Sequence, residues 1–223
     1  MGELERAGDP VKAEMVARYM KTSSHRFLGV NVTEVRAIAK RRIRDLETDT
    51  LLPLMRRLWS QRVFEFRIAA IQSMERFSSE GDVDTSVEMI SQWIDDADTW
   101  SIIDPLCTVC LGTLIIRSPK VEQRISEWRC SDNIWRRRAA VVPYLHLAKK
   151  SVFREEYCGR ILNGMVPHLQ DTEFFVAKAV GWVLRELSRR KPSVVRDFIS
   201  RNRDNMVPLS IREGSRALRS SAH

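Results

Sequence analysis

No run in this sequence approaches the roughly 18 consecutive apolar residues that a membrane span requires. The opening stretch, Met1 to Met20, is charged throughout, so it offers no apolar core for a secretory signal or an anchor. Cysteine is scarce, four in 223 residues, and without an export signal this points to a reducing cytoplasm. The close pair Cys107-x-x-Cys110 has no second pair and no nearby histidine to complete four zinc ligands. Packing of both thiols on one helix face accounts for it, and no metal is expected. The histidines His25, His146 and His168 are too dispersed for a metal or acid–base cluster, and His223 is terminal. Strand-like alternation is nearly absent. No long Pro/Gly/Ser linker divides the chain, so a single domain over 1–223 is expected, with poorly ordered ends at 1–8 and 219–223.

What is present is a globular balance, 43% hydrophobic and 30% charged. Lys and Arg number 37 against 29 Asp and Glu, a net charge of +8 with a pI near 9.7. That excess favours a polyanionic partner, nucleic acid first and an anionic membrane surface second. Apolar residues recur at three and four over Leu51–Leu58, Val63–Phe77, Ile102–Ile116, Trp135–Leu147, Phe174–Leu187, Val194–Ile199 and Leu209–Leu218. Thr48-Asp49-Thr50, Ser131-Asp132-Asn133 and Asp171-Thr172 stand before such runs as start signals, and Pro192 suits a first helical position. Gly29, Gly81 and Gly159 read as loop punctuation. The pattern predicts about ten to twelve helices with short connections.

A faint repeat underlies the helices. Phe64-x-x-Arg67-Ile68-Ala69, Trp135-x-x-Arg138-Ala139-Ala140 and Phe175-x-x-Lys178-Ala179-Val180 share an aromatic, a cation three residues on, then small or apolar residues. With Asp104 and Arg212 added, charged positions fall 37, 34, 40 and 34 residues apart. A period in the high thirties built of helix pairs suggests an all-α solenoid of the HEAT or armadillo type. A polar residue repeated once per unit then forms a stripe across one concave face. Scattered helix-face charges, aligned by the choice of register, are the plainer account.

Several segments, in order, resemble the AlkD-like family of DNA alkylation-repair proteins. They are Arg26-Phe27-Leu28-Gly29-Val30, Leu58-Trp59, Trp100-Ser101-Ile102-Ile103-Asp104, Ser131 to Ala139, Phe174 to Glu186 and Arg212-Glu213, with Lys178 to Glu186 the most specific. They span about Val11 to Leu218. The resemblance implies HEAT-like helix pairs whose concave basic face holds duplex DNA. It implies a DNA glycosylase, a hydrolase of N-glycosyl bonds, that excises N3-alkyladenine and N7-alkylguanine with no cofactor and without turning the base into a pocket. It implies a monomer of the cytoplasm, nucleoid-associated if bacterial, bound to no membrane. By motif position Asp104 is the catalytic carboxylate, flanked by Trp100 and Trp182, and Arg138 contacts the DNA backbone. Tyr19 occupies a further aromatic position by a looser match. The sequence departs from the family at Ser101, where an acidic residue is common.

The chemistry fits those residue types. Alkylation at N3 or N7 gives the purine a positive charge and makes it a good leaving group, so no general acid is needed. One carboxylate beside C1′ stabilises the oxocarbenium-like sugar as the bond breaks. Asp104 suits that task, although Asp before Pro105 is also a plain helix-start signal. On a continuous helix Trp100 and Asp104 share a face; Pro105 leaves that open. An indole beside a cationic base or sugar gains about 0.5–2 kcal/mol. Trp59, Trp93 and Trp128 read as core, and Trp135 as a buttress for Arg138. Lys178, Arg67 and Arg212 are further candidates for a phosphate stripe that positions the duplex without reading its sequence. Two rivals stand beside the glycosylase: a non-catalytic relative binding branched or distorted DNA, which retention of Asp104 opposes, and a protein-binding α-solenoid scaffold.

Overall fold

The helical period is realised throughout the computed structural model, which describes residues 1–21 and 23–219. Among the described residues there is no strand, and one isolated backbone bridge joins Arg26 to Val63. The chain forms two compact units, Met1–Leu106 and Cys107–His223. The first holds α1 (Gly2–Arg6), α2 (Pro10–Tyr19), α3 (Val32–Ile43), α4 (Thr48–Trp59), α5 (Phe64–Glu80), α6 (Val83–Asp95) and α7 (Trp100–Pro105). The second holds α8 (Gly112–Arg117), α9 (Pro119–Ser126), α10 (Ile134–Val141), α11 (Tyr144–Ala148), α12 (Tyr157–Met165), α13 (Phe174–Ser188), α14 (Pro192–Arg201), α15 (Pro208–Gly214) and α16 (Arg216–Arg219). Among the described residues the fold is thus all-α, as expected, and cut more finely than the sequence suggested. Pro143, which follows the last turn of α10, separates one apolar run into α10 and α11.

Of the expected start signals, Asn133 caps α10 through the Trp135 N–H at 2.9 Å, and Pro192 opens α14. Thr48, Asp49 and Thr50 already lie inside α4, and Glu173 rather than Asp171 precedes α13. Gly159 sits inside α12, against the loop position expected for it, with nothing near enough to crowd a side chain. Of the ends expected to be poorly ordered, residues 220–223 lie outside the described residues; the first eight carry α1, with Leu4 buried. Residues Trp100–Arg117 reach a mean hydropathy of 1.4 over 18 residues, closer to a membrane span than the sequence reading allowed. More than half of that stretch (56%) is buried inside the protein, the signature of a core helix.

In the first unit α5 is the axis, packed by α3, α4 and α6. It buries Phe64, Phe66, Ile68, Ile71, Met74 and Phe77, and two charged residues besides. Glu65, 1% exposed, accepts backbone N–H bonds from Leu28 (2.9 Å), Gly29 (2.8 Å) and Val30 (3.3 Å). Three amides satisfy a carboxylate that would otherwise be costly to bury. Gly29 is required in that loop. Its φ is +81°, and an added Cβ would lie 2.1 Å from the Asp9 carbonyl. Arg67 is also 1% exposed. Its guanidinium lies 4.3 Å from the centre of Trp59, donates to the Asp96 carbonyl at 3.0 Å and pairs with the Asp96 carboxylate. Trp59 donates its indole N–H to the same carboxylate at 2.9 Å and stacks on Trp93 at 4.2 Å.

In the second unit α13 is the axis, touching α10, α11, α14 and α15. Gly181 lets α15 close on it: a Cβ there would stand 2.5 Å from the Glu213 Cβ. Ser210 bonds the Ala177 carbonyl at 2.9 Å, and buried Glu213 accepts from Arg185 (2.9 Å) and Arg216 (3.0 Å). Arg138 is 5% exposed and donates to the Phe175 carbonyl in the first turn of α13. Trp135 packs beside it on Phe175, ring centres 4.9 Å apart.

These contacts correct the sequence reading of two cations. Arg67 and Arg138 were expected on a phosphate stripe, yet each is buried and bonded to a backbone carbonyl of a later segment. The aromatic-x-x-Arg repeat is a structural bolt, in which one planar donor group joins successive layers. Lys178 breaks the equivalence, for it is exposed.

Arg67→Ala should cost about 2–4 kcal/mol in denaturant unfolding, the range for deleting a large buried side chain. The lower part applies because Asp96 is 45% exposed and regains water. A loss under about 0.5 kcal/mol, the scale of an ordinary surface substitution, would remove the bolt from the argument.

Burial holds the His168 and His146 imidazoles at about 4, against an ordinary 6.5. The unfolded chain therefore takes up protons near pH 6.5 that the folded chain refuses, so stability is full above that pH and falls toward pH 4. For His168, 3% exposed, the slope approaches about 1.4 kcal/mol per pH unit. His168→Gln should flatten the fall in Tm between pH 6.5 and 5, measured by circular dichroism; an unchanged slope would count against a buried neutral ring.

Candidate functional site

Helix α7 carries the Trp-x-x-x-Asp element. Thr99, fully buried, caps it by accepting the Ser101 N–H at 3.4 Å. Asp104 is helical, so Trp100 and Asp104 stand one turn apart on one face. Pro105 does not break this geometry. It ends α7 without an N–H to donate, and residues Leu106–Leu111 follow as a wider π-helical stretch.

The loop before α7 sets where that face points. Asp96 is held by Arg67 and Trp59, as above. Two residues on, Asp98 accepts the Ser24 N–H at 2.6 Å and the Ser24 hydroxyl at 2.9 Å, and meets His25 Nδ1 at 3.2 Å. Burial pushes the Asp98 carboxyl up, but the Ser24 donors, with His25 and Ser23, together hold it below its ordinary value. Burial, and then the charge of Arg67, hold His25 below 6.5, so near neutral pH the ring is uncharged. Arg62 donates to Ser24 at 3.0 Å from a left-handed backbone, φ 51°. Such a conformation persists only where surrounding contacts enforce it.

The same clamp brings the end of α2 to α7. Tyr19 lies edge-on to Trp100, ring centres 6.4 Å apart at 84°. Met20 Sδ accepts from the hydroxyls of Ser101 (3.4 Å) and Thr99 (3.8 Å). Ser101, the departure from the family pattern, thus ties the two walls together. Tyr19, Met20, Trp100, Ser101 and Asp104 line a cleft of about 620 Å³, with Met15, Val30 and Val32 supplying apolar surface and Arg36 the one lysine or arginine among the described residues. Its other carboxylate, Glu65, is committed to the three loop amides. Tyr19 is 70% exposed and Trp100 and Asp104 are half-buried, so solvent reaches all three. A carboxylate that shares a cleft with two aromatic side chains, with no histidine among the described lining residues, suits stabilising a cation and not donating a proton.

The remaining candidates belong to the second unit. Phe174, Lys178 and Trp182 follow at intervals of four along one side of α13; the first two are exposed and Trp182 is half-buried. Lys178 Nζ lies 5.2 Å from the Phe174 ring centre. Arg212 is exposed on α15. Gly181, before Trp182, makes room for α15. Cys107 and Cys110 are both buried, as packing required.

Sequence reasoning missed Arg36, Met15 and Met20. Nothing local marks Arg36 among 37 basic residues, and Met15 reads as an ordinary apolar residue until α2 is seen to bury none of its side chains.

No curated protein sequence matches the chain. Among solved structures it is similar to a predicted DNA alkylation repair enzyme from Enterococcus faecalis, at TM-score 0.78 and 21% identity, over 95% of this chain and 96% of that one. It is also similar to AlkD2 from Streptococcus mutans, at TM-score 0.65 and 17% identity, over 92% of this chain and 98% of that one. At those identities the likeness is one of fold. The family described as DNA alkylation repair enzyme matches residues 1–218, and with nearly the whole chain covered, this protein belongs to that family.

Proposed function

We propose that the protein is a DNA glycosylase that hydrolyses the N-glycosidic bond of N7-alkylguanine and N3-alkyladenine in duplex DNA, without turning the base into a pocket. The observation that carries this reading is the common face of Trp100 and Asp104, with Tyr19 across the same open cleft. The alkylated purine is already cationic. As C1′–N breaks, the electron pair leaves with the base and neutralises it, and positive charge moves to the sugar. Asp104 stabilises that charge, the indole and phenol faces add cation–π attraction, and water closes on C1′ with loss of a proton. Within the second unit, Lys178 and Arg212 are exposed and Trp182 is half-buried, and these are further candidates for contact with the duplex. No metal or organic cofactor enters the reaction, and the enzyme acts as a cytoplasmic monomer.

Asp104→Asn keeps size and hydrogen-bonding capacity but removes the charge. Single-turnover release of 7-methylguanine should fall on the order of 10²-fold or more, while affinity for undamaged duplex stays within about twofold of the wild type. Undiminished release would leave the carboxylate without this role; duplex binding with no release by the wild type would favour a non-catalytic DNA-binding relative.

Lesion choice provides a second test. With no histidine among the described lining residues and Glu65 held by the loop amides, only bases weakened by their own charge should leave. Matched duplexes carrying one lesion each should lose 7-methylguanine and 3-methyladenine but retain uracil and hypoxanthine. Comparable release of the neutral bases would mean that an acid or a base-specific pocket operates.

A further inference from the structure

We propose that Arg36 binds the backbone phosphate beside the lesion nucleotide, from within the cleft that holds Asp104. This inference rests on the DNA reading above. Among the described residues, Arg36 is the one lysine or arginine lining that cleft. Its side chain is 37% exposed, and its ion pair to Glu75 is 3.9 Å long, beyond hydrogen-bonding distance. The guanidinium therefore remains available to a stronger acceptor, and a phosphodiester matches its planar fork.

Electrostatics requires such a cation. Asp104 must stand ionised beside C1′, within a few ångströms of the phosphates flanking that sugar. Like charges at that separation raise the cost of binding and push the carboxyl toward its neutral form. The other carboxylate of the cleft, Glu65, meets three amides, so it needs no counter-ion. Arg67, which sequence spacing offered for phosphate, is buried against Asp96. Arg36 offsets the phosphate where Asp104 works, and leaves the carboxylate charged.

The test uses the full chain and an undamaged duplex, with affinity followed by fluorescence anisotropy between about 50 and 200 mM salt. Arg36→Gln should weaken binding roughly 5- to 10-fold at the low end and reduce the salt slope by about one, the signature of one lost phosphate contact. Arg36→Lys should keep the slope. Glu75→Gln should leave affinity and slope unchanged; an equal loss there would make Arg36 a structural residue and overturn the proposal. So would an unchanged slope in Arg36→Gln. The wild-type arm separates the two readings: absence of any salt-dependent binding ends the DNA reading and this one with it, whereas steep wild-type binding with a silent Arg36→Gln ends this one alone. A second measurement needs no variant. Duplexes carrying one 7-methylguanine and a single neutral methylphosphonate linkage on either side of it should bind the wild type with the same reduced slope for one of the two placements. No effect from either placement overturns the assignment.

Discussion

The Asp96 carboxylate receives the indole of Trp59 and the guanidinium of Arg67 at once, and the position of the cleft depends on that joint. Asp96 closes α6, four residues before Trp100. The Trp59–Trp93 stack fixes the far side of the same cluster, and Asp98 with Ser24 draws in the segment that follows Tyr19. A cleft of half-exposed groups acquires its geometry from buried ones. This suits charge stabilisation, which works only if the dipoles and charges are in place before the transition state forms.

The two carboxylates of the cleft show how environment divides labour between identical chemical groups. Glu65 lies at the start of α5, nearly inaccessible, and its charge is absorbed by the amides of 28–30. Asp104 lies on a short helix with solvent access and an aromatic neighbour. Only the second is open to a ligand. The distinction is one of exposure and partner, and neither is a property of the residue type.

The same division runs through the arginines. A net charge of +8 invites the reading that every cation in register faces a polyanion. Arg67 and Arg138 instead lie inside, their forks bonded to carbonyls at Asp96 and Phe175. Arginine serves both purposes because its charge is delocalised and its donors are planar, so it can be buried when carbonyls and carboxylates surround it. Spacing along a helix says which residues share a side, not whether that side meets solvent or the next layer.

Much was legible in the residues alone. The 3.6-residue period required helices, since apolar side chains at three and four can share a core only on that backbone. The order of short segments from Arg26 to Glu213 points to the family, and Trp100, Asp104 and Tyr19 are marked by motif position. Trp59, Trp93 and Trp128 read correctly as core. The tertiary structure alone decided that Pro105 leaves Asp104 helical, that Ser101 bonds Met20, that Gly159 lies within a helix, and that Arg36 rather than Arg67 reaches the cleft. Two of those outcomes depend on a partner tens of residues away, Met20 for Ser101 and Asp96 for Arg67. Local periodicity carries no record of such a partner, because a side chain's burial is set by what packs against it and not by its own chemistry.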